Sequence, residues 1–136
     1  MKTKYNSKKV IVDGYTFDSQ AEYEYFKILC EQKSKGDIKS FIVHPIYQLQ
    51  EKFEKLGKNN RPIYYEGDFE ITYNDNKIMM IDIKGMATPL SILKRKMFDY
   101  VYKDIELLWL SYVKKYGGWI EFDELKRLRK INKKEK

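Results

Sequence analysis

Asp82 and Lys84 stand two residues apart in Ile81-Asp82-Ile83-Lys84-Gly85, an otherwise apolar run. Side chains on a β-strand alternate between faces, so an acid and an ammonium at this spacing share one face. Spacing alone is a weak signal. Five Asp/Glu-x-Lys pairs occur in the chain, at Glu31/Lys33, Asp37/Lys39, Asp75/Lys77, Asp82/Lys84 and Glu124/Lys126. Four of them sit in polar stretches. Only Asp82/Lys84 interrupts an apolar strand, where an ionised group is costly unless it is paired or bound to a metal.

A second carboxylate follows from hairpin register. If Asn74-Asp75-Asn76 is a three-residue loop closed by Tyr73 opposite Lys77, then Asp68 lies directly opposite Asp82. Opposed side chains share a face with their Cβ atoms about 5 Å apart. Two carboxylates placed so repel each other unless a divalent cation sits between them, and a one-residue slip would put them on opposite faces. Glu22 offers a third carboxylate. Ser19-x-x-Glu22 fits a capping box, in which the glutamate bonds back to the helix cap. The same residue, one turn into a helix packed on the sheet, is also placed to reach the cation.

The elements that must position these groups can be read along the chain. Val10–Val12 and Tyr15–Phe17 flank Asp13-Gly14, a two-residue hairpin turn. Asp18-Ser19 starts a helix in which Ala21, Tyr25, Ile28 and Leu29 recur at helical spacing, with Gly36 as its stop. Short strands are expected near Ser40–Val43 and Ile46–Leu49 around Pro45, then a loop or loose hairpin tip over 51–60. Ile63 to Tyr73 reads as one strand and Lys77–Lys84 as its return, ended by Gly85. Ile78-Met79-Met80-Ile81 lacks polar alternation, which predicts cover on both faces. Thr88-Pro89 opens a helix to about Tyr102. Ile105–Leu110 is a further strand, and Gly117-Gly118 breaks the chain before a basic helix near Asp123–Ile131. The fold class is α/β, with helices packed on a mixed central sheet.

Composition bounds the rest. The chain has 136 residues, 43% of them hydrophobic, and a single cysteine, Cys30. That is one domain's length, and one cysteine excludes a disulfide framework or a Cys-based zinc site. No apolar run reaches the roughly 20 residues of a membrane span. The N-terminus has no apolar secretory block, so the reducing cytoplasm is the expected compartment. The net charge of +7 is uneven. Residues 1–9 hold four lysines and no acid, 126–136 carry +6, and residues 10–125 carry −3. Basic ends on an acidic body fit a phosphate-rich partner, although lysine-rich tails also simply aid solubility.

Phe17-Asp18-Ser19-Gln20-Ala21-Glu22, Gly67-Asp68-Phe69 and Asp82-Ile83-Lys84-Gly85 together resemble the motifs of PD-(D/E)XK nucleases. The likeness covers roughly residues 8–110. Within that superfamily the chain is most similar to small phage-encoded proteins of poorly defined function, and more distantly to endonuclease I-type Holliday junction resolvases of phage. The resemblance implies a restriction-endonuclease-like core of order αβββαβ, followed by a short basic C-terminal helix. The expected division is a basic arm over 1–9, a nuclease-like domain over 10–116, and a basic helix and tail over 117–136. It also implies that Glu22, Asp68, Asp82 and the Ile83 backbone carbonyl bind Mg²⁺, with Mn²⁺ able to substitute; these are oxygen ligands, which a hard cation wants. Lys84 would orient a water or offset charge on the transition state. The implied activity is endonucleolytic hydrolysis of DNA, leaving a 5′-phosphate and a 3′-hydroxyl. Branched DNA in phage recombination or replication is the implied substrate, and a homodimer is expected for a resolver that makes two cuts. No organic cofactor or membrane is implied; the setting would be a bacterial cytoplasm, with a phage or prophage gene. One departure stands out, since Gly67 occupies the position that is often proline.

Further residues have two readings each. Lys94 or Lys96, on the helix after Lys84, would approach the DNA backbone or form a solvated face. Lys126, Arg127, Arg129 and Lys130 would grip phosphates or form a solvated tail. His44 is read as a structural histidine at a strand end rather than a general base, and Cys30 as facing the core. Trp119 is read as an anchor for the terminal helix rather than a base-stacking group. Two rivals to the nuclease are a catalytically inactive nucleic-acid-binding protein and a structural or interaction protein of the virion. The presence of all four site residues argues against the first.

Overall fold

The computed structural model describes residues 9–12 and 14–134. The predicted N-terminal arm, except Lys9, thus lies outside the described residues, as do Asp13 of the first turn and positions 135–136 of the tail. Strands β1 (Val10–Val12) and β2 (Tyr15–Phe17) pair antiparallel, and Gly14 takes the φ of 81° that a tight hairpin favours. Helix α1 (Gln20–Ser34) is capped by Ser19, whose Oγ accepts the Glu22 amide at 3.2 Å. Its buried face is Glu22, Phe26 and Leu29. Cys30, expected to face the core, is exposed. It follows Leu29 by one residue, which turns it about 100° off the buried face.

The chain continues through β3 (Ser40–Val43), β4 (Ile46–Gln50), β5 (Phe53–Lys55), β6 (Lys58–Asn60), β7 (Ile63–Glu66), β8 (Phe69–Thr72) and β9 (Ile78–Ile83). Helix α2 (Pro89–Val101), β10 (Glu106–Val113), a single 3-10 turn at Lys114–Tyr116, β11 (Gly118–Glu121) and α3 (Phe122–Lys134) complete it. Among the described residues the main sheet has five strands in the order β11-β10-β9-β8-β3. Strands β9 and β10 are parallel, joined by α2, and the other neighbours are antiparallel. The sequence α1–β3–β8–β9–α2–β10 is the expected αβββαβ order.

Strand β9 is covered on both sides, as its unbroken apolar run predicts. Ile81 joins Phe17, Phe26, Leu29, Phe69, Ile71 and Leu110 in the core beneath α1, with Met79 packed against it. Met80 faces the other way, with Leu49, Tyr65 and Phe98 of α2. Phe98 is fully buried, which contributes about 1.5–3 kcal/mol. Helix α2 begins where Thr88-Pro89 predicts, with a capping box between Thr88 and Ser91. No helix among the described residues is long and apolar enough to cross a membrane.

Two elements depart from expectation. Gly117-Gly118 does not end the sheet; β11 pairs along β10 and extends it past the boundary expected at 116. Trp119, expected to anchor the terminal helix, instead packs this strand onto the sheet and α1, its ring 5.1 Å from both Tyr25 of α1 and Tyr112. The segment expected as one strand from Ile63 to Tyr73 is broken at Gly67-Asp68. Strand β7 pairs with β4 in a separate ribbon, whereas β8 joins the main sheet. The opposing chain makes the same change at His44-Pro45, between β3 and β4. The two bends face each other and are tied together. His44 N–H donates to the Asp68 carbonyl and Gly67 N–H to the Pro45 carbonyl, each at 2.9 Å.

At that corner a side chain on residue 67 would have to displace the flexible end of Met80. A Cβ there would lie 2.6 Å from the Cε of Met80, a fully buried side chain. A proline would also remove the amide that bonds Pro45.

Candidate active site

The β8–β9 hairpin has the predicted register, Phe69 opposite Ile81 and Thr72 opposite Ile78. Asp68 extends it, donating its amide to the Ile81 carbonyl at 3.0 Å. Its Oδ2 accepts the Ile83 amide at 2.6 Å. Asp82 points to the same corner. Its Oδ2 accepts the Tyr65 hydroxyl at 2.6 Å and lies 3.2 Å from Lys84 Nζ. Acid and lysine thus share a face, as their spacing predicts.

Tyr65 is itself held, because its hydroxyl oxygen accepts Trp109 Nε1–H at 2.8 Å. Trp109 sits beside Asp82 in the parallel β9–β10 register. Lys84 Nζ rests 4.9 Å from the Trp109 ring centre. The Lys84 backbone is fixed on both sides, by its amide to the Leu110 carbonyl at 2.7 Å and by Ser111 Oγ on its carbonyl at 2.5 Å.

Glu22 resolves its two readings towards the site. Ser19 caps the helix, but the glutamate carboxylate meets the Ser19 hydroxyl, at 3.3 Å, and not the Ser19 amide. The side chain turns inward and the residue is only 5% exposed. Its Oε1 is buried without a hydrogen-bond partner among the described residues. Thr16, Asp18, Glu22, His44, Asp68, Asp82, Ile83 and Lys84 line one cleft of about 440 Å³.

The electrostatics follow from this crowding. Burial is the main cause that raises the Asp68 carboxyl well above the ordinary carboxylate range, and the Asp82 and Glu22 charges add to it. Burial likewise raises Glu22, with the Asp18 charge contributing. The Tyr65 hydroxyl is pushed up by burial and then by Asp82, so it stays a proton donor. Five carboxylates line the cleft, Asp18, Glu22, Glu66, Asp68 and Asp82, against the one ammonium of Lys84, an excess of negative charge that protons or a divalent cation can offset. Glu22 Oε1 is buried beside the Asp68 carboxyl and has no donor unless a proton is shared with Asp68 or a cation is bound, and a buried acceptor without a partner is costly. Glu22, Asp68 and Asp82 offer the oxygen ligands that Mg²⁺ or Mn²⁺ takes.

The predicted DNA-contacting residues divide. Lys126, Arg129 and Lys130 of α3, with Lys133, line a groove of about 390 Å³ that also includes Gly85 and Met86, just beyond Lys84. Arg127 is turned to Glu124, its Nε donating at 2.9 Å. On α2 neither Lys94 nor Lys96 lines the cleft; Lys96 is exposed. The helix brings Arg95 instead, its guanidinium 3.9 Å from the Trp109 ring centre and paired with Asp123 of α3 at 3.2 Å.

A family model described as a protein of unknown function, DUF1064, matches residues 2–118. The chain belongs to the DUF1064 family. No curated protein matches it. In this DUF1064 protein Glu22, Asp68, Asp82 and Lys84 all fall inside the matched span, whereas α3 and its basic face lie beyond it.

Sequence reasoning missed Tyr65, Trp109, Arg95 and the placement of His44. Trp109 was accessible in principle, because a parallel strand after α2 must bring a neighbour alongside Asp82. Tyr65 and His44 were not, since their approach depends on the corner formed by pairing β4 with β7.

Proposed function

We propose that this DUF1064 protein is a metal-dependent endodeoxyribonuclease of the bacterial cytoplasm, encoded by a phage or prophage, that cuts branched DNA. The observation that carries the reading is the convergence of Glu22, Asp68 and Asp82 with Lys84 in one cleft at a strand corner. The motif resemblance to PD-(D/E)XK nucleases supports the same assignment, and the distant likeness to junction resolvases supplies the branched substrate and the homodimer.

Glu22, Asp68, Asp82 and the Ile83 carbonyl would hold Mg²⁺ or Mn²⁺. When bound, the ion would polarise the scissile phosphate and lower the pKa of a water. The chain's own groups have distinct tasks. Tyr65, anchored by Trp109, orients the Asp82 carboxylate. Lys84 places a positive charge beside Asp82, where it offsets negative charge developing on the phosphate. Arg95, stacked on Trp109, adds a second fixed cation nearby. The α3 groove continues from Gly85 and gives the DNA backbone a basic track.

The test is a cleavage panel of linear, nicked, flapped and four-way DNA with Mg²⁺ or Mn²⁺. Cutting of branched DNA that leaves 5′-phosphates, stops in EDTA and is lost in Asp82→Ala supports the reading. Salt-sensitive binding without any cutting would favour the inactive DNA-binding rival.

A further inference from the structure

The corner brings His44 to the cleft, a position that its strand-end reading does not account for. A ring nitrogen of His44 and one carboxylate oxygen each from Glu22 and Asp68 all lie within 4.8 Å of one another. That spacing suits ligands arranged about a single ion. The His44 ring packs 6.1 Å from Phe17. The independent sign that an ion belongs here is Glu22 Oε1, buried and without a partner.

The backbone holds the imidazole in place. His44 adopts a φ of +56°, in the left-handed region that few residues other than glycine enter. Its amide donates to the Asp68 carbonyl at 2.9 Å, which ties the two bends together at the backbone.

We infer that Glu22, His44 and Asp68 form a mixed nitrogen–oxygen site, and that this site selects a transition-metal ion of the Mn²⁺ type over Mg²⁺. Mg²⁺ is a hard ion that favours oxygen and keeps its waters. Imidazole suits first-row transition metals, and Mn²⁺ also accepts carboxylates. Tyr65 and Lys84 both engage Oδ2 of Asp82, whereas Asp68 stands beside Glu22 and His44. The inference rests on the nuclease reading for what the ion does in cleavage. Binding itself is measured without DNA, so the two can fail separately.

The experiment titrates Mn²⁺ and Mg²⁺ into the full chain and into His44→Asn, with Mn²⁺ followed by pulsed electron paramagnetic resonance. Asparagine tolerates the left-handed backbone, and equal melting temperatures in EDTA verify that the variant is folded. The site predicts that Mn²⁺ binds more tightly than Mg²⁺. It also predicts a nitrogen coupling on the bound Mn²⁺ that is lost in His44→Asn, with Mn²⁺ affinity falling more than Mg²⁺ affinity. If the variant fails to fold, the nitrogen coupling in the unaltered chain decides alone. Mn²⁺ without nitrogen coupling, or equal affinity for the two ions, overturns the inference whether or not the protein cuts DNA.

Discussion

The acidic corner and the basic groove of α3 lie on either side of Gly85 and are built in opposite ways. In the corner, Asp82 and Lys84 have side chains only 10% and 18% exposed, and Asp68 and Asp82 each accept a named donor. In the groove, Lys126, Arg129, Lys130 and Lys133 are exposed and project from one helix face. The first arrangement stores like-charge repulsion that a cation relieves. The second stores nothing and acts by releasing counterions. Chemistry should therefore depend on pH and metal at the corner, and affinity on salt at the groove.

The comparison breaks most sharply at Lys84. Lys84→Ala should lower the single-turnover cleavage rate by about 10²–10³-fold, the scale of losing one fixed group that stabilises developing charge. DNA affinity should stay nearly constant in a filter or anisotropy assay. A comparable loss of affinity would merge the two regions into one binding surface.

Removing the groove charges should do the reverse. With Lys126, Arg129, Lys130 and Lys133 all changed to alanine, the slope of log affinity against log salt should fall by up to about four, roughly one per lost phosphate contact. Cleavage at saturating DNA should survive. Arg127→Ala should change the slope less than any of these, because Arg127 is paired with Glu124.

A smaller effect is expected at Tyr65. Tyr65→Phe keeps the ring in its core but removes the donor to Asp82. Partners of this kind are worth about 10–100-fold in metal affinity or activity. The loss should appear in the metal dependence of cleavage and not in DNA affinity.

Stability gives the subtlest contrast. Glu22 and Asp68 hold protons more tightly folded than unfolded, since burial and neighbouring charge raise them. Their contribution is full below the ordinary carboxylate range and is lost as pH rises through the raised values. Without metal, the melting temperature should therefore fall from mildly acidic to neutral pH. Mn²⁺ should raise it more at pH 8 than at pH 5, and Asp68→Asn should flatten both trends.

Local signals made much of this legible. The Asn74-Asp75-Asn76 loop set a register that the structure reproduces, and that register alone placed Asp68 opposite Asp82. Thr88-Pro89 marked the start of α2, and the unbroken apolar run of β9 foretold its burial on both faces. What escaped depended on distant partners. Nothing near Gly67 says that the strand changes sheets there, because the change is fixed by pairing Ile46 with Glu66. His44 reaches the cleft through that same pairing. Strand β11 was hidden by Gly117-Gly118, which read as a break although Gly118 begins a strand against β10. On α2 the basic cluster was visible, but the rotation that presents Arg95 instead of Lys94 or Lys96 was set by Trp109 and Asp123.

The most direct test is the nicking of supercoiled plasmid by the unaltered chain and by the Asp68→Asn/Asp82→Asn double variant, at protein levels giving equal DNA occupancy. Nicking by the unaltered chain that needs Mg²⁺ or Mn²⁺, with none from the double variant, is the predicted result. Equal nicking by both proteins, or none from either with the metal bound, would contradict it.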